Sequence, residues 1–222
     1  MQNSKFYSLI TGLFVTSLVI SNIIAVKIGA FGGYFLPVAV ILFPITYIIG
    51  DVLTEVYGFV ATRRVIWIGF FCNLLAVAAI YAAIKIPAAP FFANQTAFEN
   101  ILGFAPRLLA ASFVAYLIGQ FANSMVLSKM KVKTAGKHLW MRTIASTIVG
   151  EGLDSLIFIT IAFTGVMPGA VIGGLILTQW IFKVLFEAVL TPVTYAVVKY
   201  LKKKEAIDVY DTDSGFKPFS IS

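Results

Sequence analysis

The chain has 222 residues, 59% of them apolar and only 12% charged, where an ordinary soluble domain carries about 25% charged residues. So little charge excludes a soluble surface, and because apolar runs of about 20 residues recur along the chain, one membrane domain accounts for the length. The net charge of +7 would suit nucleic acid, but the cations gather in short segments between apolar runs; there they report orientation, and nucleic acid is discounted as a partner. Cys72 is the single cysteine and lies inside an apolar run, so neither a disulfide within the chain nor a cysteine metal site is expected, and no cofactor is implied.

Six transmembrane helices are predicted, at roughly 6–26, 37–57, 65–84, 107–127, 140–164 and 171–200. Each is long enough, at about 1.5 Å per residue, to cross a hydrocarbon core about 30 Å thick. The first run continues past the length of a signal-peptide core and reads as a retained span. The fold class is therefore all-α and integral to the membrane, with a six-helix domain over 1–200 and a polar, mostly extended tail over 201–222. Lys5, Arg63, Arg64, Lys129, Lys131, Lys133, Lys137, Arg142, Lys199 and Lys202 to Lys204 mark one set of helix ends, and only Lys27, Lys85 and Arg107 mark the other. Positively charged loops resist translocation, so both termini are expected in the cytoplasm.

The longest connection, 85–106, is expected to hold a small amphipathic helix outside the membrane, opened by a capping box at Thr96 and Glu99. Its Phe91, Phe92, Phe98 and Phe104 would rest in the lipid interface or cover an entrance.

The informative residues are the ionisable ones within the spans, each of which costs about 2.5–3.5 kcal/mol at a span centre and needs a partner or water. In the second span Tyr47, Asp51, Glu55 and Gly58 share one stripe, because residues three and four apart face the same way. Pro44 upstream is expected to kink that span and free the carbonyl of Val40. The fifth span presents Thr147, Glu151, Asp154 and Phe158 on one stripe, with Gly150 and Gly152 allowing another backbone to approach. The sixth carries Gln179, Lys183 and Glu187 at four-residue steps, so that Lys183 and Glu187 can pair within one helix, followed by Pro192. Counted from the span ends, Glu151, Asp154 and Lys183 all lie roughly 16–21 Å deep, in one layer near the midplane.

Four acids beside one deep base make an excess of negative charge that suits a polar substrate or a proton cycle through one of the carboxylates. The alternative is a closed ion-pair network that fixes helix packing, with Lys183 and Arg142 neutralising some of the acids. Carboxylates can take two parallel hydrogen bonds from the ring N–H and exocyclic amine of a guanine-like edge, and Tyr47, Phe158 and Trp180 offer stacking surfaces. Organic cations satisfy the same chemistry. No hydrolase or zinc-protease motif accompanies His138 and Ser146, which argues against an enzyme.

The segments PITYIIGDVLTEVYG (44–58), RTIASTIVGEGLDSLIF (142–158), the external stretch with its PAAPFF opening and the closing DTDSGFKPF (211–219) together resemble the VUT, or YhhQ, family of queuosine-precursor transporters over nearly the whole chain. The resemblance implies import, through a bacterial inner membrane, of 7-cyano-7-deazaguanine and related 7-deazaguanines for salvage into tRNA. It implies a candidate site made of Asp51, Glu55, Arg142, Ser146, Glu151, Asp154, Lys183 and Glu187, and a fold similar to the substrate-binding subunits of energy-coupling-factor importers. A substrate-capturing subunit that needs separate ATPase partners is the competing reading. The driving ion and any homo-oligomer are left open.

Overall fold

The computed structural model describes residues 4–25, 27–31, 34–103, 106–212 and 217–218. In chain order it holds helix α1 (Lys5–Ile24), strands β1 (Ile28–Phe31) and β2 (Tyr34–Pro37), a 3-10 turn at Val38–Ile41, and helices α2 (Phe43–Lys85), α3 (Gln95–Leu102), α4 (Pro106–Lys133), α5 (Leu139–Phe163) and α6 (Gly169–Glu205). Five of the described helices are long and apolar enough to cross a membrane, rather than six separate spans.

The difference lies in α2. Arg63 and Arg64, expected in a loop, are helical, and what separates the expected second and third spans is a single residue. Gly58 takes φ 82° and ψ 170°, a backbone region open in practice only to glycine. The Thr54 and Thr62 hydroxyls, four residues to either side, lie 3.3 Å apart, where a straight helix would hold them about 12 Å apart. The helix therefore doubles back, and Gly50 on one limb and Gly69 on the other both lie against the Phe14 ring of α1. The first limb, 43–57, is about 22 Å long and by itself falls short of a hydrocarbon core about 30 Å thick. Pro44 stands in the first turn of α2, where its missing N–H costs nothing; the expected mid-span kink is instead a helix start.

A break of this kind orphans backbone groups, and the segment after α6 satisfies them. Asp211 accepts from the Phe59 N–H at 2.7 Å and from the Ser128 hydroxyl at 2.5 Å. The Val209 N–H donates to the Val56 carbonyl at 3.1 Å, and Lys131 donates to the carbonyls of Glu55 and Val209 at 2.5 and 2.7 Å. Asp211 thus caps the second limb of α2 from a distant part of the chain. Further on, Arg63 and Trp67 donate to the carbonyls of Lys217 and Pro218 at 2.8 and 3.0 Å. The sequence beyond Glu205 is polar, and its Asp208, Val209, Asp211, Lys217 and Pro218 bond to the bundle.

Helix ends gather accordingly. Glu205, closing α6, accepts from the Ser4 hydroxyl at 2.7 Å, from the Phe6 N–H at 2.9 Å and from the Tyr57 hydroxyl, while Ser4 caps α1 through the Tyr7 N–H. At the opposite end Arg107 donates to the carbonyls of Ile161 and Thr164 at 2.5 Å each, which covers the exposed C-terminus of α5. Helices α4 and α5 pack backbone to backbone at Gly119 and Gly150, where a Cβ at Gly150 would stand 2.6 Å from the Asn123 side chain and 2.9 Å from the Gly119 carbonyl. Helix α3 forms as expected, but its N-cap is Asn94 and Glu99 bonds Gln95 at 2.8 Å, so the capping box expected at Thr96 is not made. Phe91 is 91% exposed; Phe104 lies outside the described residues. The antiparallel hairpin of β1 and β2, Ile28 opposite Pro37, went unread in the sequence, although two glycines at 32 and 33 between apolar residues are a hairpin signal.

Gly58→Ala is expected to destabilise the bundle by about 1–3 kcal/mol, the usual cost of forcing a side chain into this backbone region, with the added Cβ 2.7 Å from Val209. A lowered melting temperature of the purified protein in detergent checks this; unchanged melting would show that glycine is not what holds the break.

Candidate functional site

The predicted site residues divide between two clusters. Near the closed helix ends, Arg142 of α5 grips Glu55 of α2 through two hydrogen bonds of 2.8 and 3.1 Å. Lys202 of α6 adds a third at 2.7 Å, and Lys131 of α4 stands 3.9 Å away. Arg142 and Glu55 are each 1% exposed, and Arg142 also donates to the Gly136 carbonyl at 3.1 Å. Lys131 and Lys202 both hold Asp208, at 2.5 and 2.9 Å. Partial burial pushes the Asp208 carboxyl up, and the two ammonium groups bonded to it outweigh that and leave it below its ordinary value. Asp208 therefore favours docking above the ordinary carboxylate range, and that contribution is lost as pH falls through its depressed value. This cluster has the form of the ion-pair network named above as the alternative, with Glu55 and Arg142 engaged by each other. Ser146 stays within its own helix, its hydroxyl donating to the Thr143 carbonyl at 2.9 Å.

The second cluster lies deeper. Lys183 of α6 donates to Asp154 at 2.6 Å and stands 2.7 Å from Glu151 Oε2, both on α5. It does not reach Glu187 in its own helix, because two acids on the facing helix outcompete one. The Tyr47 phenol of α2 lies beside both acids, and its ring is 5.8 Å from the ammonium, within cation–π range. Lys183 and Asp154 side chains keep 14% and 15% exposure, against 1% for Glu151, so Glu151 is the most enclosed of the three. One turn along the same two helices, Asp51 and Glu187 are buried, with Asp51 bonded to the Asn123 amide at 2.6 Å.

Around these groups several buried side-chain atoms lack a hydrogen-bond partner: Asp51 Oδ2, Glu187 Oε1, Asn123 Oδ1, Gln120 Oε1 and Ser155 Oγ. Native interiors satisfy nearly all such atoms, so each of these is free to bond a polar group or water. Phe158 and Gln179 are half-buried, and Phe158 makes its edge contact with Phe163, centroids 6.4 Å apart. The Trp180 indole N–H donates to the Ile148 carbonyl at 2.9 Å, and its ring lies against Gly152.

Residues 37–197 match the model of the family described as "Putative vitamin uptake transporter". The chain belongs to that family. Similar curated proteins of the same kind are the "Probable queuosine precursor transporter" of Bacillus subtilis (strain 168), 28% identical over 198 residues that cover 87% of this chain and 86% of that protein, and the "Queuosine precursor transporter" of Escherichia coli (strain K12), 26% identical over 170 residues covering 75% and 74%. No solved structure matches the chain, so the expected likeness to energy-coupling-factor subunits rests on the resemblance alone.

Within this vitamin uptake transporter fold, Gln120 and Asn123 are the polar residues that sequence reasoning missed. Their signal was present: with Ser124 they form one face of the fourth span at spacings of three and four. Amides buried in an apolar span need polar partners for the same reason as charges there.

Arg142→Met is expected to lower stability by about 3–5 kcal/mol, because it leaves Glu55 buried with weaker partners. Pairing it with Glu55→Gln should recover part of the loss, a coupling that a double-mutant cycle on detergent unfolding would read. Strict additivity would show that the two side chains do not interact.

Proposed function

We propose that this chain imports queuosine precursors, 7-cyano-7-deazaguanine and related 7-deazaguanines, across the bacterial cytoplasmic membrane for salvage into tRNA. The names of the similar proteins in Bacillus subtilis and Escherichia coli support the substrate class, and family membership supports transport. The observation that carries the reading is the triad of Glu151, Lys183 and Asp154 beside Tyr47.

A 7-deazaguanine presents two donors on one edge, the ring N–H and the exocyclic amine, next to a carbonyl acceptor. A carboxylate from the triad takes the two donors, the Lys183 ammonium takes the carbonyl, and the phenol of Tyr47 covers the ring plane. Adenine offers an acceptor where guanine offers the ring N–H, so the same carboxylate rejects it. The topology in this reading has six crossings, with the 38–41 turn and the first limb of α2 completing one of them. Both termini face the cytoplasm, where the Lys and Arg residues gather.

Purified protein in liposomes should take up labelled 7-cyano-7-deazaguanine saturably, competed by guanine and not by adenine. Asp154→Asn should weaken apparent affinity by about ten- to a hundredfold, equivalent to the 1.5–3 kcal/mol of a charged hydrogen bond. Wild-type uptake in that variant would refute the assignment. Substrate binding without uptake, restored by an added ATPase, would favour the substrate-capturing subunit.

A further inference from the structure

Among the described residues, four cations of α4, α5 and α6 are committed to carboxylates. Arg142, Lys131 and Lys202 serve Glu55 and Asp208, and Lys183 serves Glu151 and Asp154. Of the acids expected within the spans, two remain. Asp51 and Glu187 are 1% and 3% exposed, and among the described residues no cation pairs with either. Asp51, on the first limb of α2, lies one turn beyond Tyr47, and Glu187 of α6 lies one turn beyond Lys183, whose ammonium is 5.8 Å from the Tyr47 ring; Glu55 and Glu151 are the other acids near Asp51. Helix α4 contributes Asn123, whose amide N–H donates to Asp51 Oδ1. That bond fixes which oxygen of Asp51 is occupied and leaves Oδ2 without a partner, as Glu187 Oε1 is also without one.

Two ionised carboxylates facing each other in an apolar bundle repel strongly, and a proton held between them removes both the repulsion and the unpaired acceptors. We infer that Asp51 and Glu187 form a proton-carrying pair that couples substrate movement to the proton gradient. The inference rests on the transporter reading above and adds its driving ion. A proton from water outside forms an O–H bond on one of the two carboxyl groups and is hydrogen-bonded by the other. It leaves to water inside, with no other bond made or broken. Among the described residues no three His, Cys, Asp or Glu side chains are placed to hold a metal ion, which leaves the pair poorer in anionic ligands than a metal cation prefers.

The coupling follows from placement. Tyr47 and Asp51 are four apart on α2, and Lys183 and Glu187 are four apart on α6, so each pair shares a helix face. The substrate layer and the proton layer are therefore successive turns of the same two helices. A guest that draws Lys183 and Tyr47 together changes the spacing of Asp51 and Glu187 one turn away.

The test uses liposomes holding the purified full chain and an internal pH dye. With the exterior more acidic by about one unit, a one-to-one symporter accumulates 7-cyano-7-deazaguanine up to about tenfold, the factor equal to about 1.4 kcal/mol. Without a gradient, adding substrate should acidify the interior. Asp51→Asn and Glu187→Gln should each bring the ratio of gradient-driven to gradient-free uptake down to about one, whereas Asp154→Asn weakens uptake but keeps the ratio of what remains. Saturable wild-type uptake that ignores the pH gradient, or follows a sodium gradient instead, would overturn the proton pair and leave the transporter reading intact. Full gradient stimulation in both variants would overturn it too, while absence of any uptake by the wild type would sink the transporter reading itself. Should one variant not yield folded protein, the other and the wild-type dye signal still decide the question.

Discussion

An ionised side chain in an apolar bundle must find its counter-charge on another helix, because lipid supplies neither water nor counter-ions. The arrangement of α2, α4, α5 and α6 follows from this requirement. Glu55 draws Arg142, Lys202 and Lys131 from three helices to one point, and Lys183 draws α6 onto Glu151 and Asp154 of α5. Apolar contacts give the helices little reason to prefer one rotation over another in lipid. The charges supply that preference, and the small residues Gly119 and Gly150 let α4 and α5 come close enough to honour it.

The break at Gly58 belongs to the same logic. A helix that doubles back within one residue exposes an N–H and a carbonyl where neither water nor a neighbouring turn is in reach. Those groups are met by Asp211 and Val209, and Asp208 is held by the lysines that also serve Glu55. The polar sequence after α6 thus completes the hydrogen bonding of a helix more than 140 residues earlier. That is a sufficient physical reason for so apolar a chain to carry a DTDSGFKPF segment at its end.

How much of this could be read in advance depended on the range of the interaction. The membrane class, the boundaries of α1 and α5, and the depth shared by Glu151, Asp154 and Lys183 follow from run length and helical rise, which are local. The partners of Glu55 and Lys183 depend on the rotation of separate helices about their axes, and nothing in spacing alone decides it. Hence Lys183 was expected to reach Glu187, four residues away, and instead faces two acids on α5. Gly58 stood at the end of an apolar stripe followed by two arginines, which is the signature of a loop. Only the tail that caps it makes a one-residue turn sufficient, and that contact spans most of the chain.

The two clusters differ in burial. At the end where Ser4, Gly58, Gly136 and Glu205 meet, Glu55 and Arg142 are fully enclosed and the segment from Asp208 to Asp211 lies across them. The deeper triad keeps some exposure. Within the basic cluster the two acids are unequal. Partially exposed Asp208 has more access to water than enclosed Glu55, so separating it strands less charge in a low-dielectric setting. Asp208 is thus the ion-pair partner that parts from this cluster at least cost, and Glu55 with Arg142 is the pair that holds α2 to α5 most firmly.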